Sequence, residues 1–353
     1  MSSMSRFQDV VSTFYDLCFV WETHYRCVVY SALHPTRTIK ECFMNNIRAL
    51  LLDNYGGPDA VWISSITAPT AGAGQALVRV QAAGVNGLDW KIREGHVRNA
   101  FPLRLPTVLG IELSGTIEAV GPGVTGLRRG DRVMGPLGGL GAYADLVSVN
   151  ADNLIVMPDA LSFVAAAALP VASVSAWQSL NLAGPIYAGQ HVLIHGAAGG
   201  LGGFAVQFAH QAGAVVSATT RSSHVDYVRS LGADQVIAYD KEQFEASISN
   251  IDLVLDYVGG EVLSRSWSVL KEGGVIVSTV SPDIPANTPA GRRGLWYMNT
   301  PDAPRLKVIA DDVVGGRLQS RIEAIVRFDE LPMAIERNRT QPRVGKTVVD
   351  FSL

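Results

Sequence analysis

The chain is poor in cysteine and contains no long apolar or basic run. Its 353 residues include three cysteines, Cys18, Cys27 and Cys42, and none follows Met44. The part after Met44 therefore has no disulfide framework, no cysteine nucleophile and no cysteine-ligated zinc. No run of 18 apolar residues predicts a membrane span, and no run of five Lys or Arg residues predicts nucleic acid as a partner. A net charge of −3 with 17% charged residues is ordinary for a soluble chain, and we expect a cytoplasmic protein.

Glycine is absent from the first part of the chain, since all 35 glycines lie from Gly56 onward. Residues 1–43 are rich in aromatics and balance four Lys or Arg against four acidic residues, which fits neither a transit peptide nor a signal peptide. We interpret them as an N-terminal extension and keep three alternatives open. The extension is an appended helix pair, an arm that binds a partner, or a stretch upstream of a true start at Met44, and we favour the last.

Short strands separated by turns follow from Met44 to about residue 157. The predicted strands lie at 47–52, 77–83, 113–120, 132–134 and 143–149. This spacing is typical of a β-barrel or sandwich. The stretch from about residue 306 returns to mixed character and ends in a strand at 346–351.

Between these parts the pattern changes to alternating strands and helices. An Ala-rich helical segment at 163–180 is interrupted near Pro170. Strands are then predicted at 191–195, 214–219, 235–237, 251–256 and 275–280, and helices at 202–212, 223–231, 241–249 and 260–271. Such alternation indicates an α/β fold with a parallel sheet covered by helices on both faces.

A glycine-rich loop follows the first strand of this series and opens the next helix. The loop is His195-Gly196-Ala197-Ala198-Gly199-Gly200-Leu201-Gly202. In the dinucleotide fingerprint G-x-G-x-x-G, Ala197 takes the first glycine position, Gly199 the second and Gly202 the third. The middle glycine lets the backbone approach a pyrophosphate, and the last lets helix and strand pack closely. The helix N-terminus offers free N–H groups to the phosphates. We expect cofactor contacts from Ala197, Ala198, Gly199, Gly200, Leu201 and Gly202.

The end of the second strand indicates which dinucleotide binds. An NAD site usually has Asp or Glu about 20 residues after the loop, bonded to the ribose 2′-OH. Here the run is Thr219-Thr220-Arg221-Ser222-Ser223, without an acid. Arg221 can pair with a 2′-phosphate, and serine hydroxyls can donate to it. We therefore predict NADPH as the cofactor, with Thr220, Arg221 and Ser222 in its site.

With these residues in view, the chain from Met44 to about Val349 resembles the medium-chain dehydrogenase/reductase superfamily, in its zinc-free quinone oxidoreductase (zeta-crystallin-like) branch. The landmarks are Ala49–Pro58, Ala82–Gly95, Leu109–Gly115, Gly130–Val133, Ala165–Leu180, Gly196–Gly202, Asp256–Gly260 and Gly345-Lys346. The resemblance implies a GroES-like β-rich catalytic domain, residues 44–167 and 306–353, with a Rossmann NADP-binding domain, 168–305, inserted in it. It also implies that Tyr239 lies beside the adenosine, Val258 near the cofactor and Thr279 at the nicotinamide.

This sequence departs from the zinc alcohol dehydrogenases at the metal positions. Asn86 stands where they carry a catalytic cysteine, and Ile111 stands where they carry a histidine before Glu112. Since isoleucine cannot ligate a metal and no histidine pair has ligand spacing, we predict no catalytic metal.

Without a metal, hydride transfer suits acceptors that are already electrophilic, such as quinones or α,β-unsaturated carbonyls. We expect Asn86 to hold the carbonyl oxygen or the nicotinamide ribose, and Lys91 to donate a hydrogen bond or a proton. Two alternatives stay open, an enoyl-thioester reductase of fatty-acid or polyketide type and a protein that binds NADPH without turnover. The family is often dimeric, which leaves a homodimer open.

Overall fold

The computed structural model describes residues 17–21, 24–28 and 46–353. Strands Leu17–Trp21 (β1) and His24–Val28 (β2) pair antiparallel, with Leu17 opposite Val28. These ten residues of the predicted extension are extended and not helical, so the helix-pair alternative does not hold for them. The other residues of 1–43 and the predicted boundary at Met44 lie outside the described residues, and the origin of the extension stays a prediction.

Short strands dominate the next part of the chain, as the sequence predicts. They are Asn46–Leu52 (β3), Val61–Thr67 (β4), Gln75–Val85 (β5), Thr107–Val108 (β6), Glu112–Val120 (β7), Arg132–Pro136 (β8), Leu146–Asn150 (β9) and Ile155–Val156 (β10). One short helix, Gly87–Arg93 (α1), follows β5 directly. It begins there because the backbone N–H of Asn86 donates to the carboxylate of Asp89, at 2.7 Å, which closes the first turn.

Alternating helices and strands follow. The helices are Phe163–Ala167 (α2), Pro170–Asn181 (α3), Gly200–Gln211 (α4), Val225–Ser230 (α5) and Gly260–Ser266 (α6). The strands are His191–His195 (β11), Val215–Thr220 (β12), Gln235–Ala238 (β13), Ile251–Asp256 (β14), Leu270–Ser278 (β15) and Arg293–Trp296 (β16). These strands pair in parallel in the order β13-β12-β11-β14-β15-β16. The order reverses between β11 and β14, the switch point where ligands bind in such sheets.

Two predicted helices differ from the structure. The helix predicted at 241–249 is wrong, since only a 3₁₀ turn, Phe244–Ala246, forms there. Ser247, Ser249 and Asn250 at its end are residue types that favour turns over helix interiors, and Asn250 adopts a left-handed conformation with φ of 57°. The helix predicted at 260–271 ends at Ser266, because the backbone turns there and enters β15 at Leu270.

The last part of the chain returns to the first sheet. It consists of Ala303–Val314 (α7), Ile322–Arg327 (β17), Leu331–Thr340 (α8) and Lys346–Asp350 (β18). Strand β18 pairs antiparallel with β5 and parallel with β17, in a sheet of order β10-β8-β7-β5-β18-β17 in which β9 also pairs with β5. The predicted fold class, a GroES-like domain with an inserted Rossmann domain, is confirmed.

One predicted domain boundary falls inside an element. The division between residues 305 and 306 cuts α7, whose Leu306 and Ile309 are buried in the hydrophobic core of the parallel sheet. The physical reason is amphipathicity, since those two residues lie three apart on one face of the helix. Helix α7 therefore packs as part of the Rossmann core.

The apolar segment Phe163–Asn181 comprises helices α2 and α3. Within the described ranges it is the one segment whose length and composition would suffice to cross a membrane, with a mean hydropathy of 1.4 in the best window. About 72% of that window is buried inside the protein, as in a core helix. The absence of a membrane partner stays a prediction.

Candidate functional site

The glycine-rich loop lies at the carboxyl end of β11, at the switch point of the parallel sheet. Gly196 has a φ of 73°, a left-handed conformation that L side chains rarely adopt. The tight turn therefore falls on Gly196, one residue before Ala197, which takes the first glycine position of the G-x-G-x-x-G fingerprint. Gly202 permits the close approach of helix and loop, because a Cβ there would lie 2.2 Å from the carbonyl oxygen of Gly196.

The remaining loop residues form a cradle at the N-terminus of α4. Ala197 and Ala198 are buried, whereas Gly200 and Leu201 are half-buried and Gly199 is the N-cap residue. A helix of this length leaves its first N–H groups without partners in the helix, and its dipole favours an anion there. The backbone N–H of Gly345 donates to the carbonyl of Ala198, at 2.8 Å. The segment that leads into β18 of the catalytic domain thus borders this cradle.

At the end of β12, the three residues assigned to the 2′-phosphate differ in exposure. Thr220 is buried, and its carbonyl accepts a bond from the backbone N–H of Tyr239, at 3.0 Å. Arg221 and Ser222 are exposed, as is Tyr239, which is 52% exposed. Asp240, which the sequence reasoning missed, accepts from both the N–H and the hydroxyl of Ser222, at 2.7 Å each. An acid is thus present in this region, contributed by the following strand.

The ends of β14 and β15 form the other side of the sheet edge. Asp256 is fully buried, and its carboxylate accepts from the N–H groups of Val258 and Gly259, at 3.0 and 2.7 Å, and from the Ser278 hydroxyl, at 2.7 Å. Val258 is 52% exposed at this edge. Thr279 follows β15 and donates its N–H to the carbonyl of Asp256, at 3.2 Å. Asp256 therefore fixes the loop that presents Val258.

His195, which ends β11, is held neutral beneath the loop. Its Nδ1 and Nε2 lie 2.9 Å from the hydroxyls of Thr219 and Ser266. Because Ser266 already donates to the carbonyl of Val262, its oxygen accepts from Nε2–H, and Nδ1 accepts from Thr219. Burial lowers the pKa of His195 from 6.5 to about 4. His195 thus packs in the sheet as a neutral hydrogen-bonded ring, which is a structural arrangement.

In the catalytic domain, Asn86 lies in a buried polar cluster. Its amide nitrogen donates to the carbonyl of Gly84, at 3.1 Å, and to Glu112, at 2.8 Å. Its amide oxygen accepts from the Lys346 ammonium, at 2.5 Å, and that ammonium lies 2.5 Å from the same Glu112 carboxylate. Both amide hydrogens of Asn86 are therefore used inside the protein. This arrangement leaves no free donor for a substrate carbonyl, which argues against the donor role expected for Asn86.

Asp89 and Tyr143 complete the support of α1. The Tyr143 hydroxyl lies 2.6 Å from the Asp89 carboxylate, which also accepts from the N–H of Asn86. Burial raises the pKa of Asp89 from 3.8 to about 6. Both residues are fully buried, and they fix the start of the helix that carries Lys91.

Lys91 lies on α1 and is partly buried. Its ammonium is 5.7 Å from the centroid of the Trp90 ring. Burial lowers the pKa of Lys91 below its usual 10.5, the Arg343 guanidinium lowers it further, and the Asp256 carboxylate raises it. Asp256 ends β14 of the Rossmann domain, so Lys91 lies near enough to the cofactor edge of the sheet for this carboxylate to act on its pKa. A cation with a lowered pKa is suited to hydrogen-bond or proton donation there.

The cluster of Asn86, Glu112 and Lys346 bears on the predicted absence of a metal. Asn86 and Ile111 are the positions compared above with zinc sites, and in this structure the Lys346 ammonium bridges Asn86 and Glu112, the residue after Ile111. Across the part of the chain that the structure describes, no three His, Cys, Asp or Glu side chains form a group able to hold a metal. The absence of a catalytic metal stays a prediction.

The structure thus brings the candidate residues to one region. The loop residues, Arg221, Tyr239, Val258 and Thr279 follow neighbouring strands at one edge of the parallel sheet, and the Asp256 carboxylate of that edge acts on the pKa of Lys91. Sequence reasoning missed Lys346, Arg343, Asp240 and Asp256 as members of this region. The Gly345-Lys346 and Asp256–Gly260 landmarks contained two of them, but nothing in the pattern indicated their partners.

Comparison with known proteins is consistent with this geometry. A family model described as the alcohol dehydrogenase GroES-like domain matches residues 72–159, and one described as zinc-binding dehydrogenase matches residues 231–349. The chain is 33% identical to a 2-methylene-furan-3-one reductase of Solanum lycopersicum and 32% identical to a chloroplastic NADPH-dependent alkenal/one oxidoreductase of Arabidopsis thaliana. Each alignment covers 86% of this chain and 79% of the relative.

A solved structure is similar to this chain over both of its main parts. The quinone oxidoreductase of Coxiella burnetii superposes with a TM-score of 0.81 at 32% identity, over 87% of this chain and 100% of that one. The match spans both the strand-rich and the alternating parts of the chain.

Proposed function

Because the chain belongs to the medium-chain dehydrogenase/reductase superfamily and is an oxidoreductase of its quinone and alkenal reductase branch, we propose that it transfers hydride from NADPH to quinones or α,β-unsaturated carbonyls without a metal. The observation that carries the proposal is the carboxyl edge of the parallel sheet. The N-terminus of α4 and the exposed Arg221 lie at this edge, and Asp256 of the same edge raises the pKa of the partly buried Lys91 of the catalytic domain. The name of the Arabidopsis relative, an NADPH-dependent alkenal/one oxidoreductase, supports the same cofactor and acceptor class.

The residues present fit a dinucleotide. A side chain at Gly202 would collide with Gly196, so helix and loop pack closely enough for a pyrophosphate to meet the first N–H groups of α4. Arg221 is exposed at the end of β12, and its guanidinium suits a 2′-phosphate. Val258 and Thr279 border the other half of the edge. The cofactor would thus lie along the loop, with adenosine towards Tyr239 and nicotinamide towards Thr279.

When bound, the dihydronicotinamide supplies the hydride that adds to the β-carbon of the acceptor, and a proton completes the saturated carbonyl. The chain itself orients the acceptor and stabilises the negative charge on its oxygen. We expect Lys91 to donate to that oxygen, because the Asp256 carboxylate of the cofactor edge acts on its ammonium and its lowered pKa favours proton release. Asn86 acts through Lys346 and Glu112 as a positioning residue that holds the wall of the site.

A substrate panel tests this function. Purified protein is incubated with NADPH and, in parallel, with 1,4-benzoquinone, an enone and a crotonyl thioester, and oxidation of the cofactor is followed. We expect turnover with the first two acceptors. Turnover with the thioester alone would favour an enoyl-thioester reductase, and saturable NADPH binding without any turnover would favour a non-catalytic NADPH-binding protein.

Variants of Lys91 test its role. Lys91→Met should lower kcat roughly a hundredfold, the scale of a lost proton donor, while NADPH affinity changes little. Lys91→Arg keeps the charge and should retain more activity. Equal kcat for the wild type and Lys91→Met would remove Lys91 from the chemistry.

Three further properties belong to the same proposal. We expect catalysis without a metal, a cytoplasmic location and neither nucleic acid nor membrane as partner. The family resemblance adds a homodimer, and light scattering of the purified chain tests it.

A further inference from the structure

The Asp240 carboxylate lies at the end of β12, where the proposed function places the 2′-phosphate of NADPH. Ser222 follows Arg221 at the end of β12, and its N–H and its hydroxyl both already donate to Asp240. Asp240 is fully exposed, so no apolar packing requires it there. A charged acceptor thus occupies donors that a 2′-phosphate would use.

The topology of the sheet explains why Asp240 reaches this position. Strands β12 and β13 are parallel neighbours, with Thr220 opposite Ala238 in register. Parallel strands end at the same edge, so the second residue after β13 meets the second residue after β12. The backbone bond from Tyr239 N–H to the Thr220 carbonyl, at 3.0 Å, holds these two ends together.

The charge of Asp240 persists at neutral pH. The Ser222 hydroxyl and the Ser222 N–H, in that order, hold the pKa of Asp240 below its usual 3.8. Arg221 has no ion pair within the described residues, and Asp240 has none either, so neither charge neutralises the other. The end of β12 therefore carries the Arg221 cation, which attracts a phosphate, and the Asp240 anion, which repels it, and the Lys241 ammonium acts on the same carboxylate.

We propose that Asp240 determines cofactor selectivity, because it occupies the Ser222 donors and opposes a 2′-phosphate while it can accept a bond from a ribose 2′-hydroxyl. The inference rests on the proposed function, since it concerns the same nucleotide site. Arg221 favours NADPH, Asp240 favours NADH, and the balance lets the chain accept both cofactors. In dinucleotide sites the acid that bonds the ribose usually ends the second strand of the sheet, whereas here it follows the third.

A binding experiment tests this without turnover. Adenosine 2′,5′-bisphosphate and 5′-AMP differ only by the 2′-phosphate, and their dissociation constants are measured by calorimetry on the full chain. Asp240→Asn removes the charge and keeps a similar shape. We expect it to tighten the bisphosphate roughly five- to tenfold, the scale of one like-charge interaction at short range in water. Binding of 5′-AMP should stay the same or weaken slightly.

Asp234→Asn is the matched control. Asp234 is also exposed, and its carboxylate also accepts a backbone N–H of the β12 region, that of Val216 at 2.8 Å. It lies at the opposite end of the same strand pair, where solvent screens its charge from the nucleotide. The variant should change neither dissociation constant. Asp240→Glu, which keeps the charge, should retain the selectivity of the wild type.

The cofactor ratio gives a second measurement. For Asp240→Asn, kcat/KM for NADPH relative to NADH should rise by a similar factor. A merely structural role for Asp240 would weaken both cofactors together and leave the ratio unchanged.

Each outcome decides between the two claims. If the wild type binds nucleotides but Asp240→Asn leaves the bisphosphate unchanged or weakens it, Asp240 organises the turn and the selectivity proposal is wrong. If the wild type binds neither probe and oxidises neither cofactor, the proposed function fails and the inference fails with it.

Discussion

Replacing Lys346 by Met should destabilise the protein strongly. The Lys346 side chain is 6% exposed, and its ammonium lies 2.5 Å from Glu112, which is fully buried. Without Lys346, Glu112 keeps only two donors, the Asn86 amide at 2.8 Å and the Val171 N–H at 2.7 Å. A buried carboxylate then carries an uncompensated charge, which is far costlier than the loss of an exposed ion pair.

The expected loss is about 3–5 kcal/mol in the free energy of unfolding, a large part of the roughly 5–15 kcal/mol typical of folded domains. Urea unfolding followed by tryptophan fluorescence and circular dichroism measures it. Arg229→Met is the matched control, since the ion pair of Arg229 with Asp226 leaves their side chains 59% and 98% exposed. That variant should lose less than about 1 kcal/mol.

A double variant tests whether Lys346 stabilises the protein through its ion pair with Glu112. Glu112→Gln removes the charge that Lys346 compensates, so Lys346→Met with Glu112→Gln should regain at least about 2 kcal/mol relative to the sum of the single changes. If Lys346→Met lies within about 1 kcal/mol of the wild type, or if the two changes are additive, the ion pair does not stabilise the site as described.

Four other changes have defined outcomes. Arg221→Ala should raise the KM for NADPH far more than that for NADH, and steady-state kinetics showing equal effects would remove its phosphate role. Gly202→Ala places a Cβ 2.2 Å from Gly196 O, so it should lower the free energy of unfolding by about 1–3 kcal/mol and weaken nucleotide binding in calorimetry. Gly203→Ala is the control and should be tolerated, because its Cβ would have its nearest atom at 3.4 Å. Similar losses in both variants would contradict this. His195 has its folded pKa at about 4, below the unfolded value of 6.5. The stability that its neutral form provides is therefore present above pH 6.5 and is lost as the pH falls from 6.5 through 4. His195→Gln should reduce the change in the free energy of urea unfolding between pH 7 and about 4.5 by about 2–3 kcal/mol, and an unchanged slope would refute this. Prolonged chelation should leave activity intact, and stoichiometric zinc by elemental analysis would overturn the metal-free mechanism.

Much of the fold follows from local sequence patterns. The alternation from His191 to Ser278 and the glycine loop suffice to predict a parallel sheet covered by helices, because strand periodicity and turn residues act locally. The helix predicted at 241–249 fails for a tertiary reason as well as for the local turn residues at its end. Phe244 is buried against the His195 ring, 4.8 Å between centroids, and a 3₁₀ turn suffices to place it there.

The details of the site depend on contacts that the sequence does not reveal. Asn86 lies 260 positions from Lys346 and 26 from Glu112, yet bonds with these two residues occupy its amide oxygen and one of its amide hydrogens. Asp240 lies 18 positions after Ser222 and belongs to the next strand, so a search for an acid at the end of β12 misses it. Both cases are side-chain pairings across the sheet, which follow from strand register and not from motif spacing.

Isotope transfer tests the central claim most directly. The full chain is mixed with an enone and NADPH deuterated at C4, on one face in one sample and on the other face in a second, and the product is analysed by mass spectrometry and NMR. The account predicts a saturated carbonyl that carries deuterium at the β-carbon from only one of the two labelled forms. Consumption of NADPH with no deuterium at that carbon, or no consumption with any enone or quinone, would contradict it.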